Sequence, residues 1–247
     1  LGLYQVEDFD YNAKDQTYTL KEGIPYMSGT FNRSDIRPGM WKFDDRNGDK
    51  VIDDSDMSVI GNANPDFYGG LNNQFKYKGW DFNFFFTFSY GGEVLNATKL
   101  TNTKTATTNY SVLNIADSSN RWMTVNSEGQ LITDPEEMAA INAGRTVACI
   151  YDMEAGDKYI HSWAVEDASY LRLKNATVSY TFDLRKKTRL LRDITLAVTG
   201  ENLWLWTKYN GFDPDVSSEG TSSTLRRVDM GAYPRSRMFV FSIQLRY

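Results

Sequence analysis

Twelve consecutive residues carry the clearest chemistry in this chain. From Asp45 to Asp56 the order is Asp-Arg-Asn-Gly-Asp-Lys-Val-Ile-Asp-Asp-Ser-Asp. Counting Asp45 as the first position, oxygen-bearing side chains fall at positions 1, 3, 5, 9 and 12, namely Asp45, Asn47, Asp49, Asp53 and Asp56. Val51, at position 7, offers its carbonyl, and Ile52 follows as a buried anchor. Hard oxygen donors at that spacing wrap a Ca2+ ion, so calcium is the one cofactor expected. Such loops carry Gly at position 6 and a bidentate Glu at position 12; here those positions hold Lys50 and Asp56. No helix is read on either side, so a complete EF-hand is not expected. The other reading of the same residues is a solvated acidic turn.

Little else points to reactivity. One cysteine, Cys149, excludes a disulfide within the chain and a zinc site built on cysteines. One histidine, His161, has no partner for a triad or a metal cluster and reads as structural or exposed. Acidic residues are common, but no pair is set apart as the two carboxylates of a glycosidase would be, so no enzymatic activity is expected. With 27 basic and 32 acidic residues and no dense basic cluster, no nucleic-acid partner is expected either.

The elements that would position these residues are strands. Trp80, Phe82, Phe84, Phe86, Phe88 and Tyr90 alternate with Asp81, Asn83, Phe85, Thr87 and Ser89. Period two means one aromatic face and one mostly polar face. Before it, Phe67, Leu71, Phe75 and Tyr77 share one face, and Lys78-Gly79 marks a tight turn. Six aromatics on one face are heavy for a core of interlocking shapes. Eleven residues at roughly 3.3 Å each, tilted near 45°, rise about 26 Å, close to the apolar band of an outer-membrane barrel.

Five strands are predicted: 67–78, 80–90, 169–182, 192–206 and 236–247. The third needs a bulge near Lys174-Asn175, and the fourth slips phase near Asn202. The last places Phe239, Phe241, Ile243, Leu245 and Tyr247 on one face, as a terminal barrel strand does. Residues 1–66, with the acidic loop 45–56, read as a loop region with short strand candidates at Leu3 to Val6 and Thr17 to Leu20. Loops 91–168 and 207–235 are long. Within the first, Asp134 as N-cap, Pro135, Glu136, Glu137 and Gly144 spell one short helix. Trp122 and Trp163 read as loop anchors or ligand-facing aromatics.

Connections alternate short and long, the pattern of short periplasmic turns and long outer loops. With the C-terminus in the periplasm, both long loops and residues 1–66 lie outside. No run of eighteen apolar residues predicts a transmembrane helix. Five strands cannot close a barrel, so other strands must complete it. The opening Leu1-Gly2-Leu3, without Met or a signal peptide, reads as a mature or excised piece.

The motifs resemble the C-terminal part of the SusC/RagA family of TonB-dependent outer-membrane transporters of Bacteroidota. The matching pieces begin with the Asp45–Asp56 loop and Val59-Ile60-Gly61-Asn62-Ala63-Asn64-Pro65. Ser169-Tyr170-Leu171-Arg172-Leu173-Lys174-Asn175-Ala176-Thr177 and Glu201-Asn202-Leu203 with Thr207-Lys208-Tyr209 follow. Gly211-Phe212-Asp213-Pro214-Asp215 and Gly231-Ala232-Tyr233-Pro234-Arg235-Ser236-Arg237 complete the set. The resemblance implies a 22-stranded antiparallel barrel with an N-terminal plug, import driven by TonB, a SusD-like surface lipoprotein as lid, and oligosaccharide or peptide substrates. On this reading the chain supplies the last strands and several outer loops, and the rest of the barrel and the plug are its partners. The competing reading is a soluble all-β carbohydrate-binding module with a calcium loop, in which Trp80 or Trp122 stacks on sugar.

Overall fold

The structure is a computed structural model that describes residues 1–103, 112–149, 159–186, 190–216, 218 and 226–247. Parts of the loops predicted over 91–168 and 207–235, and the middle of the connector between the third and fourth predicted strands, lie outside the described residues. Two compact units share the chain: residues 1–60 with 97–164, and residues 61–96 with 165–247.

Among its described residues the first unit holds four short strands and two α-helices. β1 (Gly2–Leu3) pairs antiparallel with β4 (Trp41–Lys42), and β2 (Phe9–Asn12) with β3 (Thr17–Leu20). The helices are α1 (Ala97–Thr101) and α2 (Pro135–Asn142). Helix α2 starts as its residues dictate: the Asp134 carboxylate accepts from the Glu137 amide at 2.8 Å, and Pro135 takes the first position. A core of Tyr4, Phe9, Leu20, Ile36, Met40, Trp122, Ile132 and Met138 holds the unit together. Trp122 is an anchor, 2 % exposed, and its ring covers Gly39, where a Cβ would meet it at 2.3 Å. Residues 1–66 and 91–168, read as separate loops, therefore do not stay separate. Most of both folds around one apolar core, because their scattered Leu, Ile, Met and Trp residues bury against one another rather than along a periodic face.

The second unit is built on one antiparallel sheet. Its strands are β5 (Phe67–Tyr77), β6 (Trp80–Tyr90), β9 (Tyr170–Asp183), β10 (Asp193–Thr207) and β12 (Met238–Arg246), in the order β12-β10-β9-β6-β5. A smaller sheet orders β11 (Val228–Asp229), β7 (Glu93–Asn96) and β8 (Val165–Asp167) as β11-β7-β8. The five long strands match the five predicted within two residues at each end. Lys78 (φ 45°) and Gly79 (φ 91°) are both left-handed, the two-residue hairpin turn that suits the strand twist. Phe85 faces Asn175 and Phe86 faces Leu173, so Lys174 is the extra residue of a bulge. The β9–β10 register shifts between Glu201 and Trp204, with Asn202 left-handed at φ 51°. Both irregularities fall where period two broke in the sequence.

The register gives the sheet two unlike faces. One row reads Tyr77, Trp80, Tyr180, Leu196, Ile243; the next reads Phe75, Phe82, Val178, Val198, Phe241. The opposite face reads Lys76, Asp81, Ser179, Ala197, Ser242, then Gln74, Asn83, Thr177, Thr199, Val240. Phe75, Phe241 and Ile243 are 58 %, 77 % and 71 % exposed, so none of the described residues forms a layer over the apolar face.

Candidate functional site

The acidic loop folds into a tight curl held by its own side chains. Asp45 accepts from the Gly48 amide at 2.7 Å and the Lys50 amide at 2.8 Å. Asn47 Oδ1 accepts from the Asp49 amide, Asp49 Oδ1 from the Val51 amide and Asp53 Oδ1 from the Ser55 amide. Asp56 closes the loop onto its start: Oδ1 accepts from the Arg46 and Asn47 amides and Oδ2 from the Asp53 amide. The Asp53 and Arg46 amides hold the Asp56 carboxyl below the usual carboxylate range. Lys50 sits at φ 69°, so the sharp turn survives without Gly, at a cost of roughly 1–2 kcal/mol. Ile52 is buried beside Met27, as the anchor reading required, and its amide donates to the Tyr26 carbonyl at 3.1 Å. The six residues singled out for calcium thus lie on one curl. Among the described residues, no three His, Cys, Asp or Glu side chains converge as a metal-binding group.

Beside this loop, within the first unit, lies a cavity of about 530 Å³ lined by Phe43, Ile52, Asp56, Met57, Tyr159 and His161 among others. His161 is 4 % exposed and packs against Trp41 (4.9 Å between ring centroids) and Phe43 (5.8 Å). It is structural, one of the two roles its isolation in the sequence allowed. Trp163 carries the Lys99 ammonium 4.2 Å from its ring centroid, so it too is an internal contact.

In the second unit, the polar face of the sheet is knitted across strands. Lys76 pairs with Asp81 at 3.3 Å, Gln74 donates to Asp81 at 3.0 Å, and Thr177 with Thr199 and Thr181 with Thr195 bond at 2.8 Å each. At one end of this face, connecting segments fold against the strands. The Tyr209 hydroxyl donates to Asp229 at 2.6 Å, and burial pushes that phenol well above its ordinary range. Asn210 donates to Glu166 at 2.9 Å from its amide. Arg172 and Asp213 form a buried ion pair at 2.6 Å. These partners were not singled out by sequence; the signal that could have found them is the set of motif blocks in which Arg172, Asp213 and Arg235 stand.

No family model matches the chain. TonB-dependent receptor P3 of Formosa agariphila is 32 % identical over 245 residues, covering 97 % of this chain and 22 % of that protein. TonB-dependent receptor SusC of Bacteroides thetaiotaomicron is 27 % identical over 207 residues, covering 83 % of this chain and 17 % of that protein. The fold is similar to part of the RagAB peptide importer in its closed-closed state, with a TM-score of 0.56, 18 % identity, and coverage of 96 % of this chain and 22 % of that one. The chain thus spans about a fifth of the length of the relatives it matches.

Proposed function

The chain belongs to the SusC/RagA family of TonB-dependent receptors, and on that premise we propose that it forms part of an outer-membrane importer. That importer takes up oligosaccharides or peptides together with a SusD-like surface lipoprotein, under TonB drive, and does no chemistry on its substrate. The observation that carries this reading is the uncovered aromatic face of the five-stranded sheet. A contiguous apolar face of that size marks a membrane or protein contact. A soluble module would bury it under a second layer, and the described residues supply none.

The chain contributes strands of a large barrel that its two unpaired sheet edges, β5 and β12, join to further strands. On this reading the long connections lie outside. The hairpin turn at Lys78-Gly79 then lies on the periplasmic side. Trp80 and Tyr180 near one rim and Tyr90 and Trp206 near the other give the paired aromatic girdles of a barrel.

Fractionation of the native protein tests the reading. It should require detergent and co-purify with a larger TonB-dependent segment and a lipoprotein. A chain that stays soluble and alone would leave a sugar-binding module instead.

The acidic loop is proposed to take Ca2+ through Asp45, Asn47, Asp49, the Val51 carbonyl, Asp53 and Asp56. Its curl and its hard oxygen donors support this. Calcium should raise the unfolding temperature of the whole receptor, and Asp45→Ala should abolish the increment. No calcium response in either protein would make the loop a self-supporting acidic turn.

A further inference from the structure

Three motif blocks that stand far apart in the sequence meet at one place in the second unit. Arg172 comes from the block at 169–177, Asp213 and Asp215 from 211–215, and Arg235 from 231–237. Arg172 sits on the polar face, opposite Thr87 of β6 and Leu205 of β10. Its Nη2 donates to Asp213 Oδ1 at 2.6 Å, with the two side chains 4 % and 2 % exposed. Arg235 Nε lies 3.8 Å from the other Asp213 oxygen, and its Nη2 donates to Asp215 at 2.7 Å. Asp213 also accepts from the Asp215 amide at 3.0 Å, and Pro214 between them is fully buried. The Tyr170 ring lies 5.4 Å from the Arg172 guanidinium carbon.

A buried ion pair is a poor source of net stability, because desolvating both groups offsets their attraction. What it supplies is a single seat. An apolar contact between loop and wall tolerates sliding; a sealed guanidinium tolerates only the position at which a carboxylate meets it. Asp213 therefore pins residues 208–216 to the wall in one register, and Arg235 ties residues 226–235 to the same carboxylate and to Asp215.

We propose, resting on the import reading above, that Arg172, Asp213, Asp215 and Arg235 are positioning residues: they lock 208–216 and 226–235 to the inner wall as one strap, which fixes the shape of the barrel mouth that substrate passes.

The test uses the full-length receptor in its own outer membrane, as wild type, Asp213→Asn, Arg172→Met and the double variant. Heat-modifiable gel migration reports whether the barrel wall is folded. Proteinase K cleavage on intact cells, mapped by mass spectrometry, reports whether the strap is seated. Each single variant should keep the heat-modifiable band while cleavage within 208–216 and 226–235 rises at least about tenfold, since cleavage follows the population of the released form. The double variant should be cleaved no faster than the worse single, because the pair acts as one unit.

Unchanged cleavage in the single variants, or additive effects in the double, would overturn the strap. Loss of the heat-modifiable band would overturn it differently, by making the network part of the wall's stability. A wild-type receptor that extracts without detergent would sink the import reading itself and the proposal with it, and that failure is separable from the others because it appears before any substitution is made.

Discussion

The ring of Phe85 closes over Gly70. A Cβ on Gly70 would meet Phe85 Cε2 at 2.8 Å and Cζ at 2.9 Å. Phe85 is the one aromatic of β6 on the polar face, and this contact explains it. Gly70 lies on β5, a strand with one unpaired edge, next to Gly69, which Phe88 covers in the same way on the other face. A ring laid over a strand glycine replaces the packing its missing side chain would supply.

Gly70→Val should therefore overpack this site and cost about 1–3 kcal/mol. The measurement is the temperature at which the heat-modifiable band is lost. Adding Phe85→Leu should recover much of the loss; no recovery would mean that Gly70 serves the backbone and not the ring.

Phe84 and Asn83 are neighbours on opposite faces. Phe84 lies beside Asn73 and Ala176, Asn83 beside Gln74 and Thr177. On the proposed reading Phe84 faces lipid near the midplane, where an arginine costs about 2–4 kcal/mol. Phe84→Arg should block assembly and Asn83→Arg should be tolerated, as read by the yield of detergent-extracted, heat-modifiable receptor. Equal damage from both would argue for a buried core on either side.

Acid should loosen the 45–56 loop. Backbone amides depress the Asp56 carboxyl in the folded state. A depressed carboxylate contributes stability in full above its unfolded value, near 3.9, and loses it as pH falls through the depressed value. Amide hydrogen exchange at Arg46, Asn47 and Asp53, the residues that donate to Asp56, should accelerate relative to the intrinsic rate as pH drops below about 4. Asp56→Asn should flatten that dependence while retaining most of the fold.

Tyr209→Phe removes the hydroxyl that donates to Asp229 in a buried site. Asp229 keeps the Gly231 and Ala232 amides at 3.0 and 3.1 Å. The loss should be about 1–3 kcal/mol, confined to residues 226–235 and visible as faster hydrogen exchange there with the strands unchanged.

Much of this protein was legible from local pattern. The alternation from Trp80 to Tyr90, the Lys78-Gly79 turn, the breaks at Lys174 and Asn202, and the Asp134-Pro135 cap each act over a few residues, so each leaves its mark in the residues themselves. The curl of the acidic loop was legible too, although Lys50 adopts the backbone of a glycine there. The packing of the first unit was not legible, although its Asp134 cap, its acidic loop and the strand at Thr17–Leu20 were. Its strands are two to four residues long, too short to show a period, and its core joins Leu3, Ile36, Trp122 and Met138 from stretches that look like linkers.

What the sequence determined by itself was which face of each strand is apolar, since the same environment repeats at every second residue and selects the same kind of side chain. Only the tertiary structure decided which distant residues meet. Arg172 and Asp213 are 41 residues apart, and nothing in either stretch names the other. Their pairing depends on the path of the chain between them, because a charge enters a sealed site only where the fold brings its counter-charge to the same point.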